Sequence, residues 1–297
     1  MSGPQAHWLA DGTRLHLNHG PIDLIIEAFG DAAEVRRACE QAVARFQTIL
    51  SELVNELPAL RQPAAVTARL FAGPTARRME AAVSPLAERF ITPMAAVAGS
   101  VADEMLAAMV SGRKLERAYV NNGGDSALHL APGQSVTLAI AGTGHGLTDR
   151  ITVRSEDGVR GVATSGWRGR SFSLGIADAV TVLASSGAAA DAAATLIANA
   201  IDLPGHHAIE RCPAHQLAPD SDLGERLVTT AVGTVSPQEA ARALQFGLTV
   251  AEDYRRRGLI TAAALFFNGA TAFVGNFPNP RSDRLRSSDQ AKDFAYA

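Results

Sequence analysis

Cysteine is scarce in this chain: only Cys39 and Cys212 occur in 297 residues. The two lie far apart in unlike contexts, which excludes a disulfide framework and a cysteine-based zinc site and points to a reduced, cytoplasmic setting. Net charge is equally slight at −3, so nothing draws the chain as a whole to nucleic acid or to a membrane surface. An anionic ligand then needs backbone dipoles, a metal or a few arginines. No uninterrupted apolar stretch reaches the roughly 20 residues of a bilayer crossing. The first eight residues hold Pro4, Gln5 and His7 where a secretion signal has a cationic start and an apolar core. A P-loop, a zincin histidine pair, a Gly-x-Ser-x-Gly elbow and an EF-hand loop are all missing.

What is there has the composition of an ordinary globular chain, 47% hydrophobic and 19% charged, long enough for one large or two small domains. Alternation over residues 13–18, a Gly20-Pro21 turn and the run 22–29 suggest a hairpin. His16 and His19 read there as a solvent-facing strand residue and a turn residue, or else as ligands. From Asp31 as N-cap, Val35, Cys39, Val43, Phe46, Ile49, Leu50 and Leu53 recur at helical spacing, which sets a core helix to about residue 57. Residues 60–74 form a proline-punctuated connector. Residues 75–90 form a second helix, on which Arg77 and Arg78 are a solvated face or a phosphate contact.

A third helix covers 91–112, with Pro93 at its start and Ala96, Gly99, Ser100 and Asp103 on one side, where a backbone or a flat ring can approach. Residues 126–130, 136–141 and 151–154 alternate as antiparallel strands. The Gly142-x-Gly144-x-Gly146 stretch around His145 precedes no helix and reads as a loop. His206, His207 and His215 with Cys212 suggest a transition-metal site or a polar loop. Ser236, Pro237 and Glu239 form a capping box for a helix to residue 257. Strands at 259–267 and 271–274 follow, joined at Asn268-Gly269. Composition shows no domain break, so 1–297 reads as a single domain with a weak boundary at 203–235 and a charged tail or docking arm at 278–297.

The densest run of motifs lies in residues 120–199. An apolar run, 118–120, breaks at Asn121-Asn122-Gly123-Gly124-Asp125, where backbone N–H groups lie bare enough to meet an anionic or planar ligand. Thr164-Ser165-Gly166 follows, and then Ala-Asp191-Ala-Ala-Ala-Thr195. Asp191 and Thr195 are four apart in an alanine-rich helix, so carboxylate and hydroxyl share one face as a hard-cation site. An aspartate early in a helix also complements the dipole.

In this order the segments resemble the ApbE-like superfamily, best known for FAD:protein FMN transferases. More closely they resemble its UPF0280 branch, which pairs Pro-Met-Ala-Ala-Val-Ala-Gly, here residues 93–99, with the Asn-Gly-Gly-Asp turn and the Ala-Asp-Ala-Ala-Ala-Thr helix. The likeness covers roughly the first two thirds of the chain. The run of strands and long helices gives an α+β class. The resemblance implies the ApbE-like version of it, related to the T-fold of pterin-handling enzymes, with antiparallel sheets packed against long helices and a cleft between. It further implies Mg2+ on Asp191 and Thr195, with FAD or FMN bound near Gly99, Asp103, Asn122, Gly123, Gly124, Asp125, Thr164, Ser165 and Gly166.

Two departures from the transferase pattern stand out. Those enzymes carry a lysine directly before the helix glycine, where this chain has Ala98. They also carry His-x-x-Asp-Pro after Thr-Ser-Gly, where this chain has neither His nor Pro between Ser171 and Ala179. Asp178 is then the candidate base, or a structural turn residue. Trp167, Arg168 and Arg170 beside the Thr-Ser-Gly segment stack on a ring and pair with phosphate, or lie on a loop surface.

Two functions follow. One is a magnesium-dependent transferase acting on FAD or a similar nucleotide. The other is a flavin- or pterin-binding protein of methanopterin-type one-carbon metabolism that has lost the transfer step. A structural subunit, with the C-terminal helix and tail as a homo-oligomer interface, is the third reading. The expected partner is a small nucleotide or pterin, with no nucleic acid and no membrane.

Overall fold

The computed structural model describes residues 3–140, 150–276 and 294–296. Three strands open the chain, β1 (Gln5–Trp8), β2 (Leu15–His19) and β3 (Ile22–Gly30). β3 alternates buried and half-buried residues over 22–29, the period of a strand with one face on a core. Asp31 accepts hydrogen bonds from the backbone N–H of Ala33 and Glu34 and so starts α1 (Ala32–Leu60). α1 carries Pro58 within its last turn.

The expected second helix is shorter than its periodicity: α2 (Pro74–Val83) passes into a 3-10 turn at Ser84–Leu86. Pro85 has no N–H for a helical bond and its ring crowds the preceding turn, so the α-helix stops. After a further 3-10 turn at Pro93–Ala96 comes α3 (Val97–Val110). Pro93–Val110 has a mean hydropathy of 1.3, apolar enough by composition to cross a membrane, and half of it is buried inside the fold. Here it packs between neighbouring helices.

The remaining elements follow in order: β4 (Leu115–Asn122), β5 (Asp125–Leu130), β6 (Ser135–Ala139), β7 (Arg150–Arg154), β8 (Gly161–Ser165), β9 (Ala179–Ala184) and α4 (Gly187–Ala200). Then come β10 (Ile209–Pro213), α5 (Ala214–Leu217), β11 (Leu227–Val232), α6 (Pro237–Arg256), β12 (Ala262–Phe267), β13 (Ala270–Val274) and β14 (Phe294–Tyr296). The Ser236/Glu239 capping box starts α6 as its spacing predicts. The stretch 142–146 lies outside the described residues, as does most of 278–297.

Nine strands form one antiparallel sheet in the order β1-β2-β3-β4-β5-β8-β9-β12-β13. α1, α3, α4 and α6 lie in a row across one face. Strand alternation explains how both faces become core. Ala118 and Val120 of β4 and Val180 and Val182 of β9 point to the helices. Tyr119, Ala179 and Leu183 point the other way, against Leu138 of β6 and Ile151 and Val153 of β7. The β14-β6-β7 sheet thus covers the second face. β1 was not legible in the sequence because all four of its residues are exposed and give no alternation.

Candidate functional site

The site is organised by the junction of α3 and α4. Gly99 and Gly187 bring the two helices into backbone contact, since a Cβ on Gly99 would lie 2.2 Å from the Gly187 carbonyl oxygen. Side chains then complete both helix starts. Asp103 on α3 accepts from the N–H groups of Gly187 and Ala188, each at 2.8 Å. Asp191 on α4 accepts from the N–H of Gly99 at 3.0 Å, at a helix whose own N-cap residue, Ala96, offers no side-chain bond. Each helix thus receives a carboxylate from the other at the end where its N–H groups lack partners.

Along α4, Asp191, Thr195 and Asn199 are half-buried, while most residues between them are buried. Four-residue spacing places the three on one stripe, and all three line a cleft of about 320 Å³. Across it stands the β4–β5 turn, where Gly123 and Gly124 adopt φ of 64° and 118°, conformations that favour glycine. Asp125 closes this turn, faces the cleft, and accepts from the Thr164 N–H at 3.2 Å. Arg170 lies over Gly123, so close that a Cβ there would meet its guanidinium at 1.7 Å. Among the described residues, the Arg170 guanidinium and the Thr195 hydroxyl have no hydrogen-bond or ion-pair partner. Phe172 and Asp222 add an exposed ring and a third carboxylate to the rim. Asp222 is held by the Thr92 hydroxyl.

Electrostatics set the cleft apart. Burial pushes Asp125 up to about 7, against the opposing pull of the Thr164 N–H and Arg170. Burial also raises Asp191 well above the usual carboxylate range, and the Asp125 carboxylate adds to it. Asp103 is raised by burial and partly restored by its two N–H donors. Two carboxylates that disfavour each other's charge beside an unengaged hydroxyl make a hard-oxygen donor set, suited to a cation that brings ligand phosphates with it. Among the described residues no three His, Cys, Asp or Glu side chains converge as a metal centre. Magnesium sites of one or two carboxylates plus phosphates do not require three.

The structure brings Asp125, Ser165, Asp191 and Thr195 to the cleft and sets Gly123 beneath Arg170. It places the other sequence candidates elsewhere. Gly99 and Asp103 hold α3 to α4. Asn122 donates to the carbonyl of Ala98, and the Thr164 hydroxyl pairs with that of Thr181. Gly166 packs against the backbone carbonyl of Asp178. Asp178 itself binds Arg168 at 3.0 Å and the N–H of Asn268 at 2.7 Å, so its carboxylate ties two loops together and is not part of the cleft lining. Arg168 lies on the Trp167 ring, which leaves Arg170 as the cleft's arginine. His206 stacks on His207 and bonds Glu239, while His215 pairs with Glu225. Sequence reasoning missed Asn199, Phe172 and Asp222. The i, i+4, i+8 spacing would have found Asn199; nothing local marks Asp222.

The family model described as AbpE bacteria matches residues 6–273. A UPF0280 protein of Methanopyrus kandleri is 37% identical over 179 residues, 60% of this chain and 69% of that protein. A UPF0280 protein of Methanothermobacter thermautotrophicus is 37% identical over 134 residues, 44% of this chain and 50% of its own length. The ApbE protein of Thermotoga maritima superposes with a TM-score of 0.44 at 12% identity, over 95% of this chain and 99% of that one.

Proposed function

This chain belongs to the bacterial AbpE family of UPF0280 and ApbE-like proteins, and from that premise we propose that its cleft binds a phosphorylated ring cofactor of the flavin nucleotide kind through a magnesium ion. Asp191 and Thr195 would hold the ion, which supplies positive charge to a diphosphate. The guanidinium of Arg170, unpaired among the described residues, and the N–H groups of the Gly123-Gly124 turn beneath it would hold phosphate oxygens, and Phe172 offers a face for a planar ring. The observation that carries this reading is the meeting of Asp125, Asp191, Thr195 and Arg170 in one cleft, with the last two free of protein partners among the described residues.

In the transferase form of the reading, an acceptor hydroxyl oxygen bonds to the riboflavin-side phosphorus of FAD, the bridging P–O bond breaks, and AMP leaves. Asp125, facing the same cleft, would take the hydroxyl proton. Incubating the protein with FAD, magnesium and a hydroxyl acceptor, and following AMP, tests this: AMP release abolished by Asp191→Asn supports it.

A second reading keeps the binding and drops the transfer. Among the described lining residues there is no histidine, and Ala98 offers the cleft a methyl group where the resembled transferases carry a lysine. A cleft of about 320 Å³ sits at the small end of ligand sites, which suits a mononucleotide or a pterin. Binding of a flavin or pterin without AMP release favours this second reading. The scarcity of cysteine in the sequence suits a reduced cytoplasmic setting for either.

A further inference from the structure

A second donor cluster lies at the far edge of the sheet. Antiparallel pairing of β1 with β2 sets His7 directly opposite His16, so the two imidazoles rise from the same face of the strand pair. His16 Nδ1 and His7 Nε2 are 3.2 Å apart, with the rings nearly perpendicular at 81°. The other nitrogen of His16, Nε2, lies 2.9 Å from Asp23 Oδ1 on β3. A carboxylate there takes the imidazole N–H, which fixes the tautomer of a neutral His16 and leaves the Nδ1 lone pair facing His7.

Zinc bonds imidazole nitrogen at about 2.0–2.1 Å, so two such ligands stand roughly 2.9–3.4 Å apart for coordination angles between square and tetrahedral. The observed separation falls inside that window without any movement of the backbone. The cluster is also open to solvent: the His16 side chain is 20% exposed and that of Asp23 49%, and His7 is exposed.

We propose that His7 and His16 form a two-nitrogen site for a divalent transition-metal ion such as zinc, with Asp23 as the positioning residue for His16 and water completing the coordination. Nitrogen donors separate this site from the oxygen-lined cleft, so magnesium does not compete for it. An ion bound here ties the exposed edge strand β1 to β2.

The test is calorimetric titration of the full chain with zinc chloride in excess magnesium. One saturable site is expected in the wild type, with its affinity lowered at least tenfold by His7→Ala and by His16→Ala and tenfold to a hundredfold by Asp23→Asn. His207→Ala, in the stacked pair elsewhere, leaves it unchanged. Zinc also raises the melting temperature of the wild type but not of His16→Ala, a readout independent of the heat signal. Zinc affinity that survives in the His7→Ala/His16→Ala double variant overturns the proposal, as does the absence of any saturable site, which would leave the pair as a proton-sharing hydrogen bond. If either alanine variant fails to fold, His7→Gln and His16→Gln are read in its place against the same criteria.

Discussion

Asp103 and Asp191 cap each other's helices: each carboxylate leaves its own helix and accepts backbone N–H groups at the start of the other. Because Asp191 also faces the cleft, the pair couples the fold of the helix layer to the placement of the candidate cation ligand. Removing Asp103 strips two buried N–H groups of their acceptor. Asp103→Ala is therefore expected to lower unfolding free energy by about 1–3 kcal/mol and to weaken magnesium binding at the cleft. Urea denaturation checks the first effect; a loss within error of zero would sink the mutual-capping account.

Asp191→Asn separates structure from function. The amide oxygen still accepts from the Gly99 N–H, but the charge is gone. Stability should stay within about 1 kcal/mol of wild type, while magnesium affinity falls at least tenfold. A variant that unfolds yet keeps its magnesium affinity when stabilised would make Asp191 a structural cap only.

The glycine contact between α3 and α4 is backbone on backbone. Gly99→Ala places a methyl 2.2 Å from a carbonyl oxygen, which no side-chain rotation relieves. Overpacking of this kind costs roughly 1–3 kcal/mol. The cleft ligand should be lost with the helix spacing, read by thermal melting and ligand titration on the same preparation. Normal stability in Gly99→Ala would show that the helices separate freely.

The cleft carboxylates give the protein a pH signature. Asp125 is raised from 3.8 to about 7, and Asp191 is also raised, by burial and by Asp125. For a raised carboxyl the fold favours the protonated form, so its contribution is fully present below the unfolded value and fades as pH climbs through about 7. Metal-free protein should thus melt lower at about pH 8.5 than at about pH 5.5. Magnesium needs the ionised carboxylate, so the stabilisation it confers should grow over the same interval. Melting curves in EDTA and in magnesium across that range measure both slopes, and parallel curves count against a cation at these groups.

Much of this architecture was written locally. The Asp31 cap and the stripe from Val35 to Leu53, the Ser236 capping box and the β12–β13 hairpin all rest on residues a few positions apart, where sequence periodicity speaks directly. The same holds for Asp191 and Thr195, set on one helix face by their spacing. What escaped was tertiary. Gly99 and Asp103 read as ligand-facing small and acidic residues, yet their partner is the start of α4, more than 80 residues downstream. Asp178 looked like a stand-in for a base because it follows the motif; only the fold reveals that Arg168 and Asn268 occupy it. Asp222 reaches the cleft from a loop whose sequence carries no periodic or motif signal.

Equilibrium dialysis of FAD against the full chain, with magnesium and then with EDTA, measures the central claim most directly. The account predicts one flavin nucleotide per chain in magnesium, released by EDTA and not bound by Asp191→Asn. Flavin bound equally well with EDTA present, or equally well by Asp191→Asn, would contradict it.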